Sequence, residues 1–250
     1  MILEGASIQG LSHKEYGVCN QDALRYGRFQ DYTIAIVADG VSLKTDHTFS
    51  NSEIASRFCA GYVFGYLKEH LDKNQPFAAV PSVLYECFRQ TDAALRAFLH
   101  AQTIPFWDCQ TTLLVVVLYK GRCACGLAGD GGIVFEKRDG KYFLVVTREK
   151  TSSLVAPICM EEEWAFSLYE DVNNPICSFI MATDGVFDNL AGFQDGKPVL
   201  NEILLHELQA ISKVHRKQRH NYLRKVLETI PSSDDKTAIV YMNPKEKKRI

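Results

Sequence analysis

Two stretches of this 250-residue chain share one grammar, and it restricts the fold more than any other feature: an apolar run that closes on Asp-Gly. The first is Thr33-Ile34-Ala35-Ile36-Val37-Ala38-Asp39-Gly40, the second Ser178-Phe179-Ile180-Met181-Ala182-Thr183-Asp184-Gly185. Each predicts a buried β-strand with a carboxylate at its C-terminal tip, where glycine permits a tight turn and close backbone approach. Two carboxylates at strand tips are costly to bury unless a positive charge lies between them. Neither motif contains a basic residue. A hard divalent cation is therefore the expected partner, and metal-assisted hydrolysis the expected chemistry.

Composition sets wider bounds. Hydrophobic residues make up 46% and charged residues 23%, the balance of a soluble globular chain able to bury a sizeable core. A formal net charge of -2 argues against a nucleic-acid surface. The eight cysteines form no Cys-x-x-Cys pair, and most fall in apolar stretches, where a thiol behaves as a small hydrophobe. Cys123 and Cys125 alternate along a predicted strand and share one face, without the second ligand pair that zinc needs. The start, MILEGASIQG, lacks the basic and apolar regions of a signal peptide, and no apolar run approaches the roughly 18 residues that span a bilayer. A reduced, cytoplasmic protein is expected.

Along the chain, residues 4–10 and 30–38 read as strands that bracket a polar stretch from Ser12 to Arg28. A helix is expected over Asn51–Leu71, with Asn51 or Ser52 as N-cap, Glu53 in its first turn, and Ile54, Ala55, Phe58, Tyr62, Phe64 and Leu67 near a 3.6-residue period. A second helix is expected over about Ala79–Gln102. Then come four short β-branched runs, Thr112–Tyr119, Cys123–Ala128, Gly132–Lys137 and Lys141–Thr147, with hairpin signals at Lys120-Gly121 and Asp139-Gly140. They read as one antiparallel meander. Later strands are expected at Ser178–Thr183 and Ala238–Tyr241, and helix over most of Leu200–Ile230. With no repeats or low-complexity linkers, this predicts a single α+β domain over residues 1–250, helices outside sheets, with a short basic tail from about 243.

Three further acidic segments complete a pattern: Asn20-Gln21-Asp22-Ala23, Gly129-Asp130-Gly131-Gly132, and Ser233-Asp234-Asp235-Lys236-Thr237 before the final strand. Singly they read as turns and loops. In this order, together with Asp39-Gly40 and Asp184-Gly185, they resemble the metal-dependent protein phosphatase family of the 2C type, in a compact bacterial branch. The resemblance runs from about residue 5 to residue 242.

That resemblance implies a four-layer fold, two antiparallel β-sheets sandwiched face to face and flanked by α-helices, with metals in a cleft at one end. It implies that Asp39 bridges two divalent ions, Mg²⁺ or Mn²⁺, with the Gly40 carbonyl on one of them. Asp184 and Asp234 then hold the other ion. Asp130 matches the position of a weaker third ion shared with Asp184, and Asp22 lies beside the centre, on an ion or one step removed. The implied reaction is hydrolysis of phosphoserine or phosphothreonine in a phosphorylated protein substrate, by a water bridging the two ions, in signalling alongside a cognate Ser/Thr kinase. Such a mechanism needs no Cys or Ser nucleophile.

Three positions depart from the pattern. Gln21 stands where the family commonly has Glu. Gly17 stands where it often has a phosphate-gripping Arg, leaving His13 and Lys14, read as an exposed loop pair, as the nearby substitutes. Ser42 stands where many members carry a candidate general-acid His, with His47 as the nearest alternative in sequence. These departures keep two other readings open: a pseudophosphatase acting as a regulatory binding module, and a hydrolase of small phosphorylated metabolites. The basic segment Lys213–Lys225 (KVHRKQRHNYLRK) reads as a solvated helix face able to dock an acidic partner.

Overall fold

The computed structural model describes residues 1–41, 51–147 and 155–243. Ser42, His47 and the basic tail lie outside the described residues. The chain opens with strand β1 (Ile2–Ile8), a short helix α1 (Leu11–Glu15) and the pair β2 (Ala23–Phe29) and β3 (Tyr32–Ala38). A two-residue piece, β4 (Gly40–Val41), precedes the long helices α2 (Ser52–His70) and α3 (Val80–Ala101). Next come β5 (Gln110–Thr111), β6 (Leu113–Tyr119), β7 (Arg122–Ala128), β8 (Gly132–Lys137) and β9 (Tyr142–Val145). Strands β10 (Ala165–Tyr169) and β11 (Ile176–Ala182) lead to helix α4 (Asp184–Leu190) and the hairpin β12 (Ala191–Gln194)–β13 (Lys197–Leu200). Helices α5 (Glu202–Gln209) and α6 (Arg219–Thr229) precede the last strand, β14 (Lys236–Met242).

Two five-stranded antiparallel sheets, ordered β1-β14-β11-β8-β9 and β10-β7-β6-β3-β2, form the centre. Alternation along each buried strand serves two layers at once. On β3, Ile34 and Ile36 face α2 and α3, joining Ala55, Cys59, Val63, Leu84 and Phe88. Ala35 and Val37 face the other way and meet Phe135, Phe179, Met181 and Ile239 between the sheets. On the far side Leu205, Leu208, Leu223 and Leu227 cover Val134, Ile180 and Val240. This is the expected αββα sandwich.

Three details differ from the sequence reading. The four β-rich runs are not one meander: β6 and β7 belong to one sheet, β8 and β9 to the other. The two hairpin turns are local and are where expected, Lys120 and Gly121 both having positive φ (49° and 77°), as such turns require. Between β7 and β8, however, Gly129-Asp130-Gly131 carries the chain across the sandwich. The polar stretch Ser12–Arg28 contains β2, whose Arg25 and Arg28 reflect its place at a sheet edge. Finally, α2 buries mainly small residues, Ala55, Ser56, Cys59, Ala60 and Val63, so it lies close on the sheet. Its aromatic side chains Phe58 and Tyr62 stack on one another at the flank.

Candidate active site

The acidic segments meet at one end of the sandwich, each held by backbone chemistry of its own. Strand β3 delivers Asp39, whose N–H donates to Thr112 Oγ1 (2.9 Å) and whose carbonyl accepts from Thr112 N (2.8 Å) and Thr111 Oγ1 (2.9 Å). The tip is thus clamped to the start of β6. Gly40 follows, donating its N–H to the Gln21 carbonyl at 3.1 Å. Strand β11 delivers Asp184 differently. Thr183 is the N-cap of α4 and its carbonyl accepts from Val186 and Phe187, so Asp184 begins a helix. Gly185 is required there: a Cβ would lie 2.0 Å from the Asp235 carbonyl oxygen.

Asp22 is only 5% exposed. Its Oδ2 accepts from Thr183 Oγ1 at 2.9 Å, while its Oδ1 is buried without a hydrogen-bond partner. Asp234 lies exposed on the turn before β14, its Oδ1 accepting from Asp235 N at 2.8 Å. Asp130, half-buried, rides on the crossover between the sheets. That loop presses on the tip of β11: a Cβ on Gly131 would stand 2.6 Å from the Ala182 carbonyl oxygen.

The electrostatics show how near these groups are. Burial, then the charges of Asp22, Asp184 and Asp234, push the Asp39 carboxyl well above its usual range. Burial pushes Asp22 up to about 7, with the Asp235 charge adding and the Thr237 and Thr183 hydroxyls opposing. Asp234 is raised by desolvation and by Asp184. Four carboxylates feeling one another in this way create a strong demand for positive charge. As they stand, no three Asp, Glu, His or Cys side chains among the described residues are grouped as a ligand set for an ion. The chemistry of the group fits a hard divalent cation nonetheless: its donors are all oxygen, they repel one another, and Asp22 Oδ1 is orphaned.

One expectation about neighbours needs correction. His13 is not an exposed loop residue available to phosphate. It lies in α1 at 6% exposure with Nδ1 2.8 Å from Asp235 Oδ2, and that hydrogen bond raises its pKa. Lys14 is exposed, beside a groove of about 330 Å³ that Ser232, Ser233 and Lys236 also line. The absence of Arg at position 17 has a backbone cause. Gly17 (φ 68°) ends α1, with its N–H on Lys14 O (3.3 Å) and the Val18 N–H on His13 O (2.8 Å). This Schellman closure favours glycine.

The sequence reading missed Asp235, which is 2% exposed and accepts from Gly10 N (2.7 Å), Gln21 N (2.6 Å) and His13. It missed the threonines as well. Thr183 and Thr237 stand one and two residues from Asp184 and Asp235, a spacing that was an available signal; Thr111 and Thr112 lie more than 70 residues from Asp39, the carboxylate residue they hold, and carried none.

A β-sandwich between helix layers, with acidic strand tips gathered at one end, defines a phosphatase 2C-type protein. The sequence matches the protein phosphatase 2C family over residues 9–228, and the chain belongs to that family. Among solved structures, it is similar to serine/threonine phosphatase Stp1 from Staphylococcus aureus (TM-score 0.66, 13% identity, 96% of this chain and 94% of that one). It is also similar to the catalytic domain of the serine threonine protein phosphatase PstP in complex with two manganese ions (0.60, 17%, 96% and 96%). A third likeness is to the Mycobacterium tuberculosis phosphatase PstP/Ppp (0.61, 15%, 97% and 98%). No curated protein is significantly similar in sequence. No helix among the described residues is long and apolar enough to cross a membrane.

Proposed function

We propose that this protein is a phosphoprotein phosphatase that hydrolyses phosphoserine and phosphothreonine with two Mg²⁺ or Mn²⁺ ions. The observation that carries the reading is the gathering of Asp22, Asp184 and Asp234, from segments up to 212 residues apart in sequence, close enough to Asp39 that it feels the charge of each. A binding module has no use for mutually repelling, partly buried carboxylates. In this reading Asp39, the Gly40 carbonyl, Asp184 and Asp234 would hold the two ions, and Asp130 would offer a further, weaker ligand. Divalent ions so held supply the Lewis acidity that activates a water and offsets charge on phosphoryl oxygens.

The chain's own task is alignment. Thr111 and Thr112 fix the Asp39 backbone, and Thr183 orients the Asp22 carboxylate. In this reading the exposed Lys14 is the cation that meets an incoming phosphate, and K14A is expected to raise KM several-fold with a smaller change in kcat. Substrates are phosphorylated proteins, acted on upstream by a Ser/Thr kinase. The test is hydrolysis of a phosphothreonine peptide with and without Mn²⁺. Turnover that needs Mn²⁺ and is lost to EDTA supports the reading; metal-independent turnover overturns it. A pseudophosphatase is the second reading, favoured by Gly17, and predicts Mn²⁺ binding without turnover.

A further inference from the structure

We propose that His13 is a positioning residue for the acidic centre: through the Asp235 carboxylate it fixes the segments that carry Asp22 and Asp234. The inference rests on the divalent-cation reading above. Asp235 is the joint. Its carboxylate takes three donors from three places in the chain, Gly10 N, His13 Nδ1 and Gln21 N, at 2.6–2.8 Å. Two of the four residues so joined are next to site residues. Gln21 precedes Asp22, Asp235 follows Asp234, and the Asp235 carbonyl packs on Gly185 beside Asp184.

The remaining contacts show that His13 is itself held in place for this task. Ser12 donates both its N–H (3.0 Å) and its Oγ (2.7 Å) to the Ser233 carbonyl, docking α1 on the turn that bears Asp234. The Schellman closure after Tyr16 fixes the other end of that helix through the His13 carbonyl. Charge gives the second argument. Asp235 is a fifth carboxylate against a cluster that already repels itself, and its field reaches Asp22 and Asp234. A buried carboxylate requires a charged or strongly polar partner. The neighbouring Lys236 directs its Nζ to the Ile230 carbonyl at 2.8 Å. His13 opposes Asp235 at Asp234. Hydrogen-bond partners that sit behind metal ligands typically change metal affinity about 10- to 100-fold when removed.

The test is calorimetric titration of the full chain with Mn²⁺, alongside thermal melting of the metal-free protein. H13A is expected to bind Mn²⁺ roughly tenfold more weakly or worse. H13N keeps a donor near the position of Nδ1 and is expected to recover most of that loss. Native-like Mn²⁺ affinity in H13A, even with a lowered Tm, overturns the proposal and leaves His13 a purely structural residue. If H13A does not fold, H13Q takes its place: its donor reaches one bond further, so it must bind Mn²⁺ more weakly than H13N, and equal affinities overturn the proposal. A native protein that binds no Mn²⁺ overturns the cation reading and this inference together. Tight native binding that H13A leaves unchanged overturns the positioning alone.

Discussion

The strand tips and the helical layer both bury ionisable side chains, with opposite consequences. Between α2, α3 and the sheet, Cys59, Cys87 and Cys109 have no solvent exposure. Burial raises all three thiols, Cys87 to about 12 and Cys109 to about 11. A thiol pushed upward simply stays neutral at pH 7 and packs as a small hydrophobe. At the strand tips the same desolvation acts on groups that ordinarily ionise near pH 4. There it lifts Asp22 to about 7 and Asp39 well beyond its usual range, against a cluster of like charges. Burial of an acid is thus silent in one region and creates a demand for positive charge in the other.

Substitutions at the tips should separate the regions most strongly. Asp39→Asn is expected to lower Mn²⁺-dependent phosphopeptide turnover by about a thousandfold or more, a barrier change of roughly 4 kcal/mol. Its Tm should hold or rise, since a repelling charge is gone. Turnover within tenfold of native would remove Asp39 from the centre. Gly185→Ala is next: its Cβ would collide with the Asp235 carbonyl at 2.0 Å. About 3 kcal/mol of lost stability is expected in urea, together with weakened Mn²⁺ binding.

The pH dependence is a third separation. Asp22, raised by burial to about 7 in the metal-free fold from the usual carboxylate value of 3.8, binds more protons folded than unfolded. Its contribution therefore favours the metal-free protein at low pH and is lost as pH rises from about 4 towards 7, at up to about 1.4 kcal/mol per unit. Mn²⁺ competes with those protons, so its stabilising effect on Tm should be larger at pH 8 than at pH 6. An equal Mn²⁺ shift at both pH values would contradict the assignment. The smallest effect belongs to the thiol layer. Cys59→Ala should cost about 1 kcal/mol of stability and leave Mn²⁺ affinity untouched. Alkylation of the folded protein should stop at accessible sites such as Cys19, which is exposed, with activity intact.

The features legible in the sequence were those written locally. An apolar run ending in Asp-Gly makes a strand with a carboxylate at its tip wherever it is placed, and Lys120-Gly121 makes a hairpin because both residues accept positive φ. The order of the acidic segments carried the family resemblance, and with it the sandwich. Other features had no local signature. Nothing in Gly129-Asp130-Gly131 distinguishes a turn within a sheet from a crossing between sheets. Nothing around His13 says that it is buried, since its partner is 222 residues away.

The sequence by itself therefore determined the two strands that end in Asp-Gly and that their carboxylates lack basic neighbours in their own motifs, while β2, β10 and the β12–β13 hairpin were not legible in it. Only the tertiary structure decided which acids face one another and which is set apart. Asp234 and Asp235 are adjacent and chemically identical. One lies exposed on its turn toward the cluster, and the other is buried against Gly10, His13 and Gln21. Adjacent residues leave the backbone in different directions, so the two carboxylates of one dipeptide meet different parts of the chain. What each one meets is set by the packing of distant segments, which no local pattern encodes.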